Sequence, residues 1–284
     1  MNHQTPAHTP GQAPAQTPGQ APAQTPGQAP AQTPGQAPPS RSLPRFPGGT
    51  SLSQLCVYDW ETSDGLHGGS PHLHTLSTEA YVVTSGRGEV HTISAAGPAV
   101  DELAAGSLLW FTPGTVHRLV NHDQLQMQVI MSNAGLPEAG DAVLTFPEEI
   151  LADPQRYRDA VALPAEADQD GRAEAARARR DLAIEGYRQL LSRIEVQGPQ
   201  AMQHFHELAV GLVRPRVRDW QQIWERSVEA ETERTRAQLL ALGAGNGAHL
   251  QEAAVIRGEP RPEPRLWGMC GRLQTWARED PEQH

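Results

Sequence analysis

Between Pro71 and Val90 the chain reads PHLHTLSTEAYVVTSGRGEV, setting His72 and His74 one residue apart and Glu79 a short turn downstream. In an extended strand residues i and i+2 point to the same side, so both imidazoles can converge on one point inside a barrel. Imidazole nitrogens and a carboxylate oxygen are ligands for a transition metal ion, and that is the chemistry the stretch offers. Glu79 stands at an odd offset from His74, which would place it on the opposite face of a single continuous strand. A turn through TLST repairs this, so the spacing predicts two short strands, with Tyr81 and Val83 following Glu79 on its inward face.

A histidine pair by itself says little. His204 and His206 have the same spacing but fall in a stretch of helical period, where residues two apart point away from one another, so they are expected to be solvated or packed. A fourth ligand is offered by GSLLWFTPGTVHRLVN, Gly106 to Asn121, as a strand, a turn at Pro113-Gly114, and His117 opening the next strand.

Together these stretches resemble the two motifs of the cupin superfamily, G(x5)HxH(x3 or 4)E(x6)G and G(x5)PxG(x2)H(x3)N. The first is met by His72, His74, Glu79 and Gly86, the second by Gly106, Gly114, His117 and Asn121. Two turn positions depart: Leu66 stands where the first motif opens on glycine, and Thr112 precedes Pro113 where the second has proline. The resemblance implies a mononuclear metal on His72, His74, Glu79 and His117, in a double-stranded β-helix, the cupin or jelly-roll barrel. Three imidazoles and a carboxylate suit a divalent Fe, Mn, Ni, Zn, Co or Cu ion, without choosing among them. Dimers are the usual state that the resemblance implies.

The elements that must position these residues read as follows. From Ser51 to Pro147 short apolar runs (SQLCVYDW, EAYVVTS, GEVHTIS, SLLWFT, HRLVN, QLQMQVIMS, AVLTF) alternate with Gly, Pro, Asn and Asp separators, the texture of an antiparallel barrel. Met127, Val129 and Met131 form one inward stripe. Of Trp110 and Phe111, one lines the barrel and the other meets the helices. Asn121 either supports the pocket or closes a turn. After Pro147 the period becomes helical, with Tyr187, Leu190, Leu191 and Ile194 on one face and Phe205, Leu208, Ala209 and Leu212 on another. Three substantial helices are expected between about 172 and 243, then a shorter one near His249 to Ile256 and a Pro-rich extension. From AVLTFPEEIL onward the chain is similar to helical extensions of bacterial cupin-domain proteins. The expected organisation is a disordered Pro/Gln/Ala/Gly-rich arm over 1–46, built on the repeat TPGQAPAQ, a cupin β-barrel over 47–147, and a helical region over 148–284.

Composition narrows the function classes. A formal charge of −10 disfavours a nucleic-acid partner, and all 23 basic residues are Arg, which removes lysine Schiff-base chemistry. With no window near the roughly 18 apolar residues of a membrane span and no secretory pattern at the N-terminus, a soluble cytoplasmic protein is expected. Cys56 and Cys270 lack CxxC spacing, and Cys270 reads as a buried thiol that could reach back to the barrel. Two readings remain. One is a metal-dependent enzyme acting on a small polar molecule, a dioxygenase-like oxidoreductase or an isomerase, with Glu79 moving a proton and Tyr81 lining the pocket. The other is a non-catalytic barrel that binds or senses a metabolite while its helical tail contacts a partner.

Overall fold

The computed structural model describes residues 46–276, so residues 1–45 of the expected repeat arm lie outside them. Among the described residues nine strands form one antiparallel system: β1 (Ser51–Val57), β2 (His72–His74), β3 (Glu79–Ser94), β4 (Gly97–Ala104), β5 (Leu108–Phe111), β6 (Val116–Met131), β7 (Ala142–Leu144), β8 (Leu266–Trp267) and β9 (Gly271–Gln274). The main path runs β4-β3-β6-β1-β9-β8, with β2 against β6 and β7, and β5 against β3. Strands expected as separate pairs are continuous. β3 joins EAYVVTS to GEVHTIS, and β6 joins HRLVN to QLQMQVIMS. The join in β3 is a bulged stretch with register shifts between Val83 and Gly88, where Gly86 sits at φ +78°. A bulge absorbs the glycine signal that otherwise reads as a turn. β4, GPAVDELA, is a strand the sequence reading did not place; it is an exposed edge of mostly solvent-facing residues, so it carries little hydrophobic pattern.

Two cores result. Inside the barrel, Leu55, Tyr81, Val83, Val90, Phe111, Leu119, Met127, Val129 and Met131 pack together, as the inward stripe of β6 predicts. Outside it, Leu73, Ile93, Val116, Val143 and Phe146 meet the helices through Tyr157, Tyr187, Leu190, Phe205 and Trp220. The helices are α1 (Glu148–Leu151), α2 (Pro154–Val161), α3 (Gln169–Gln197), α4 (Pro199–Val213), α5 (Val217–Trp224) and α6 (Ala230–Gly243), with a π turn joining the last two. The three expected helical stretches are α3, α4 and the α5–α6 run. α3 crosses the barrel where Gly186 lies against the Thr145–Phe146 backbone, so close that a Cβ would stand 2.0 Å from the Thr145 carbonyl oxygen.

The tail corrects two expectations. His249 to Ile256 contributes only a 3-10 turn, Ala248–Glu252, and the chain then runs exposed through its prolines. Beyond the Pro-rich stretch it returns as β8 and β9, with β9 pairing β1 from Gln54 to Val57. Tyr58 and Arg179 both donate to the Gly268 carbonyl, at 3.0 and 2.8 Å, and stacked Tyr58 and Trp60 rings buttress the return. Trp110 does not meet the helices: it is 65% exposed on the outer sheet face, while Phe111 lines the interior. No helix among the described residues is long and apolar enough to cross a membrane.

Because the Thr145–Phe146 backbone cannot yield to an added methyl group, Gly186→Ala is expected to destabilise the fold by about 3 kcal/mol, the upper range for overpacking. Urea unfolding measures this; an unchanged midpoint would show that α3 does not dock as described.

Candidate metal centre

The turn expected between His74 and Glu79 is present: β2 ends at His74 and β3 begins at Glu79. β2 is flanked by β6 and β7, and His72 is the register partner of both His117 and Leu144. Within HLH the alternation sends both imidazoles inward and Leu73 outward into the helix-facing core. His72, His74, Glu79 and His117 are all buried, at 4, 9, 6 and 0% exposure. One ligand atom from each lies within 4.8 Å of every other, and the group could hold a metal ion.

The hydrogen bonds behind the rings decide which nitrogens face the centre. His72 Nδ1 is 2.9 Å from the Ser70 carbonyl, and His117 Nδ1 is 3.3 Å from that of Thr115. His74 Nδ1 lies 2.6 Å from Asp141 Oδ1. An acceptor at each Nδ1 assigns a proton there and turns each Nε2 lone pair inward. The Nε2 atoms of His72 and His117 are 3.1 Å apart, and Glu79 Oε2 is 3.3 Å from His74 Nε2 and 3.2 Å from His117 Nε2. Neutral rings so oriented bring lone pairs together beside a carboxylate, and a cation among them relieves the repulsion. The donor set therefore fits a metal ion, and no geometric rearrangement of the chain is required to present it.

Electrostatics agree. Burial, with the neighbouring His117 and His74, drives His72 well below the ordinary histidine range, leaving it neutral. Burial also opposes charge on His74, but hydrogen bonds to Asp141 and Glu79 outweigh it and raise its pKa from 6.5 to about 10. Burial opposes ionisation of Glu79 as well, yet its His117 and His74 neighbours hold it well below the usual carboxylate range. Without metal, a proton on His74 is thus the resident cation.

Asp141 was not singled out in the sequence, since 67 residues separate it from His74. It is fully buried; Oδ2 accepts the Ser77 amide at 3.0 Å and its carbonyl accepts the Thr75 amide at 2.9 Å, so one residue orients His74 and shapes the turn to Glu79. An acidic residue directly before the apolar AVLTF run was the available signal. Tyr81 is fully buried beside Glu79, and its hydroxyl makes no hydrogen bond of sound geometry. Asn121 is a structural closure: its amide donates to the Val57 carbonyl at 3.1 Å and its oxygen accepts the Leu125 amide at 3.0 Å. Cys270, brought in by the returning tail, is buried with Sγ 3.9 Å from His72 Nδ1, behind the ring rather than on its Nε2 side. Burial is the main cause that pushes its thiol far up, so it stays protonated. His204 and His206 turn to separate partners, Glu148 and the Gly114 carbonyl.

Two outcomes follow from this arrangement. Asp141→Asn is expected to weaken divalent-metal binding about 10- to 100-fold in titration calorimetry; an unchanged affinity would remove Asp141 from the centre. A raised His74 pKa stabilises the metal-free fold below about pH 6.5, a contribution lost as pH rises toward about 10. Metal displaces that proton, so its affinity should run the other way, gaining about tenfold per pH unit over this window; a flat profile would contradict the assignment.

A family model described as the cupin domain matches residues 61–133. Among solved structures, Streptomyces Pac13 with uridine shares 16% identity over 36% of this chain and 72% of that one, with a TM-score of 0.27. A structure report describes Pac13 as a nucleoside dehydratase. A Klebsiella pneumoniae protein with a double-stranded β-helix domain shares 19% identity over 30% of this chain and 65% of its own, with a TM-score of 0.23. A Bacteroides fragilis cupin protein shares 22% identity, again over 30% of this chain and 65% of its own, with a TM-score of 0.23. No curated protein matches. The barrel, the two motifs and the family match agree that residues 61–133 form a cupin domain.

Proposed function

We propose that the barrel holds one divalent transition metal ion, Fe, Mn, Ni, Zn, Co or Cu, on His72, His74, Glu79 and His117, as the centre of an enzyme acting on a small polar molecule. The observation that carries this is the set of three histidines with every Nδ1 engaged, the Nε2 atoms of His74 and His117 beside the Glu79 carboxylate and that of His72 beside His117 Nε2. A bound ion supplies Lewis-acid polarisation or, where redox-active, dioxygenase-like electron transfer. Glu79 Oε2, buried between the Nε2 atoms of His74 and His117, is placed to exchange a proton with them or with a bound molecule. Burial and the Glu79 charge push the Tyr81 pKa well up, so its hydroxyl stays neutral and can donate to an oxygen of a small molecule seated beside Glu79. Phe111, its ring 4.2 Å from that of His117, and Met131 exclude bulk water.

The burial of the site favours a second reading, a barrel that binds or senses a small metabolite without turnover. Two cavities, of about 80 and 10 Å³, lie on the helical side, and none of the four residues lines either. A homodimer belongs to the proposal under both readings. The outer sheet face sets Leu52, Ile130, Ala80 and Trp110 in one register row and Gln54, Gln128, Val82 and Leu108 in the next. With Trp110 and Leu108 65 and 62% exposed, it is an apolar patch suited to a second copy.

Protein purified without a tag is expected to hold close to one transition metal ion per chain by elemental analysis, and His72→Ala and His117→Ala to hold almost none while keeping a native circular dichroism spectrum. Wild-type protein that takes up no metal would sink the proposal. Loaded with Fe(II) in air, the enzyme reading expects substrate-dependent oxygen uptake from a panel of small polar metabolites, lost in His117→Ala; a fully loaded but inert site favours sensing. Sedimentation equilibrium should find dimers that Trp110→Glu dissociates, and a monomeric wild type would exclude this face.

A further inference from the structure

The larger cavity, about 80 Å³, opens between β7, α2 and the end of α4. Its apolar wall is Ala142, Val143, Tyr157, Leu212 and Val213, and two guanidinium groups, Arg158 and Arg216, join that wall with no acidic side chain among the lining residues. Both arginines are exposed and satisfied only in part by neutral oxygens: Arg216 Nη1 donates to the Gly140 carbonyl at 3.3 Å, and Arg158 Nη2 to Gln155 Oε1 at 2.5 Å. Tyr157, on the wall, also lies in the fields of Arg216 and Arg179, so the surroundings are positive from more than one side.

We infer that this cavity binds a short-chain aliphatic carboxylate. Apolar cavities hold roughly one ligand atom per 25 Å³, judged from benzene in a cavity of about 150 Å³, so this volume takes a tail of about three carbons. The carboxylate then stays among the guanidinium groups, where planar N–H forks match its two oxygens. A cationic ligand would meet two like charges, and a fully apolar one would leave those charges to water, so charge complementarity selects the anion. The wall includes Gly140 and Ala142, the two neighbours of Asp141, although binding there does not depend on metal in the barrel.

The test is an NMR titration of the full-length ¹⁵N-labelled chain with sodium butyrate, against butyramide and sodium chloride as controls. Saturable shifts are expected at the amides of Gly140, Val143 and Val213 with butyrate alone. The double variant Arg158→Gln/Arg216→Gln should weaken binding about tenfold or more, as loss of charge-assisted hydrogen bonds requires. Leu212→Trp, which adds bulk at the cavity wall and keeps both charges, should abolish the shifts while the remaining spectrum stays native. Equal response to butyramide, non-saturating shifts, or wild-type affinity in the double variant would each overturn the inference.

Discussion

Three imidazole rings and a carboxylate gather in a buried space, with ligand atoms within 4.8 Å of one another and three of the separations between 3.1 and 3.3 Å, and with each Nδ1 engaged the neutral rings turn lone pairs rather than protons toward the centre. That crowding of electron pairs is the constraint on which the rest of the barrel depends. Left uncompensated, it would push β2, β3 and β6 apart, so the fold is coherent only with a positive charge at the centre, whether a proton on His74 or a metal ion. Two of the imidazoles are oriented by the backbone that leads into their strands, His72 and His117 each using the carbonyl two residues before it. His74 alone depends on a distant group. Asp141 supplies it, and β7, which follows Asp141 directly, pairs with β2 from His72 to His74.

The helical region serves the same centre from outside. Leu73 stands between the two histidines and points into the core that α3 and α4 complete, so docking of the helices fixes the strand that carries two ligands. His206 of α4 is 2.8 Å from the carbonyl of Gly114, in the turn that precedes His117. The returning tail closes another side. Ser70 donates its amide to the Met269 carbonyl while its own carbonyl orients His72, which links the last strands of the chain to the first ligand.

The four candidate ligands and the turn before Glu79 were legible because strand period and ligand chemistry are local, and because two motifs at separate places agree. Met127, Val129 and Met131 were legible for the same reason. Asp141, β4 and β9 were not. Asp141 acts through a contact that only the folded sheet creates. β4 is an exposed edge, so its alternation is hidden by polar residues on both faces. β9 is a four-residue strand behind a proline-rich approach, and its place in the sheet is fixed by pairing with β1 rather than by a pattern of its own. Trp110 shows the same limit: alternation with Phe111 is visible in sequence, whereas what covers the outward face is not.

X-ray absorption of protein loaded with one equivalent of Co(II) reports the ligand set directly. The account predicts scattering from three imidazole rings with further nitrogen or oxygen neighbours and no sulfur, since Cys270 lies behind His72 on its Nδ1 side. A cobalt–sulfur shell, or fewer than three imidazoles, would contradict it.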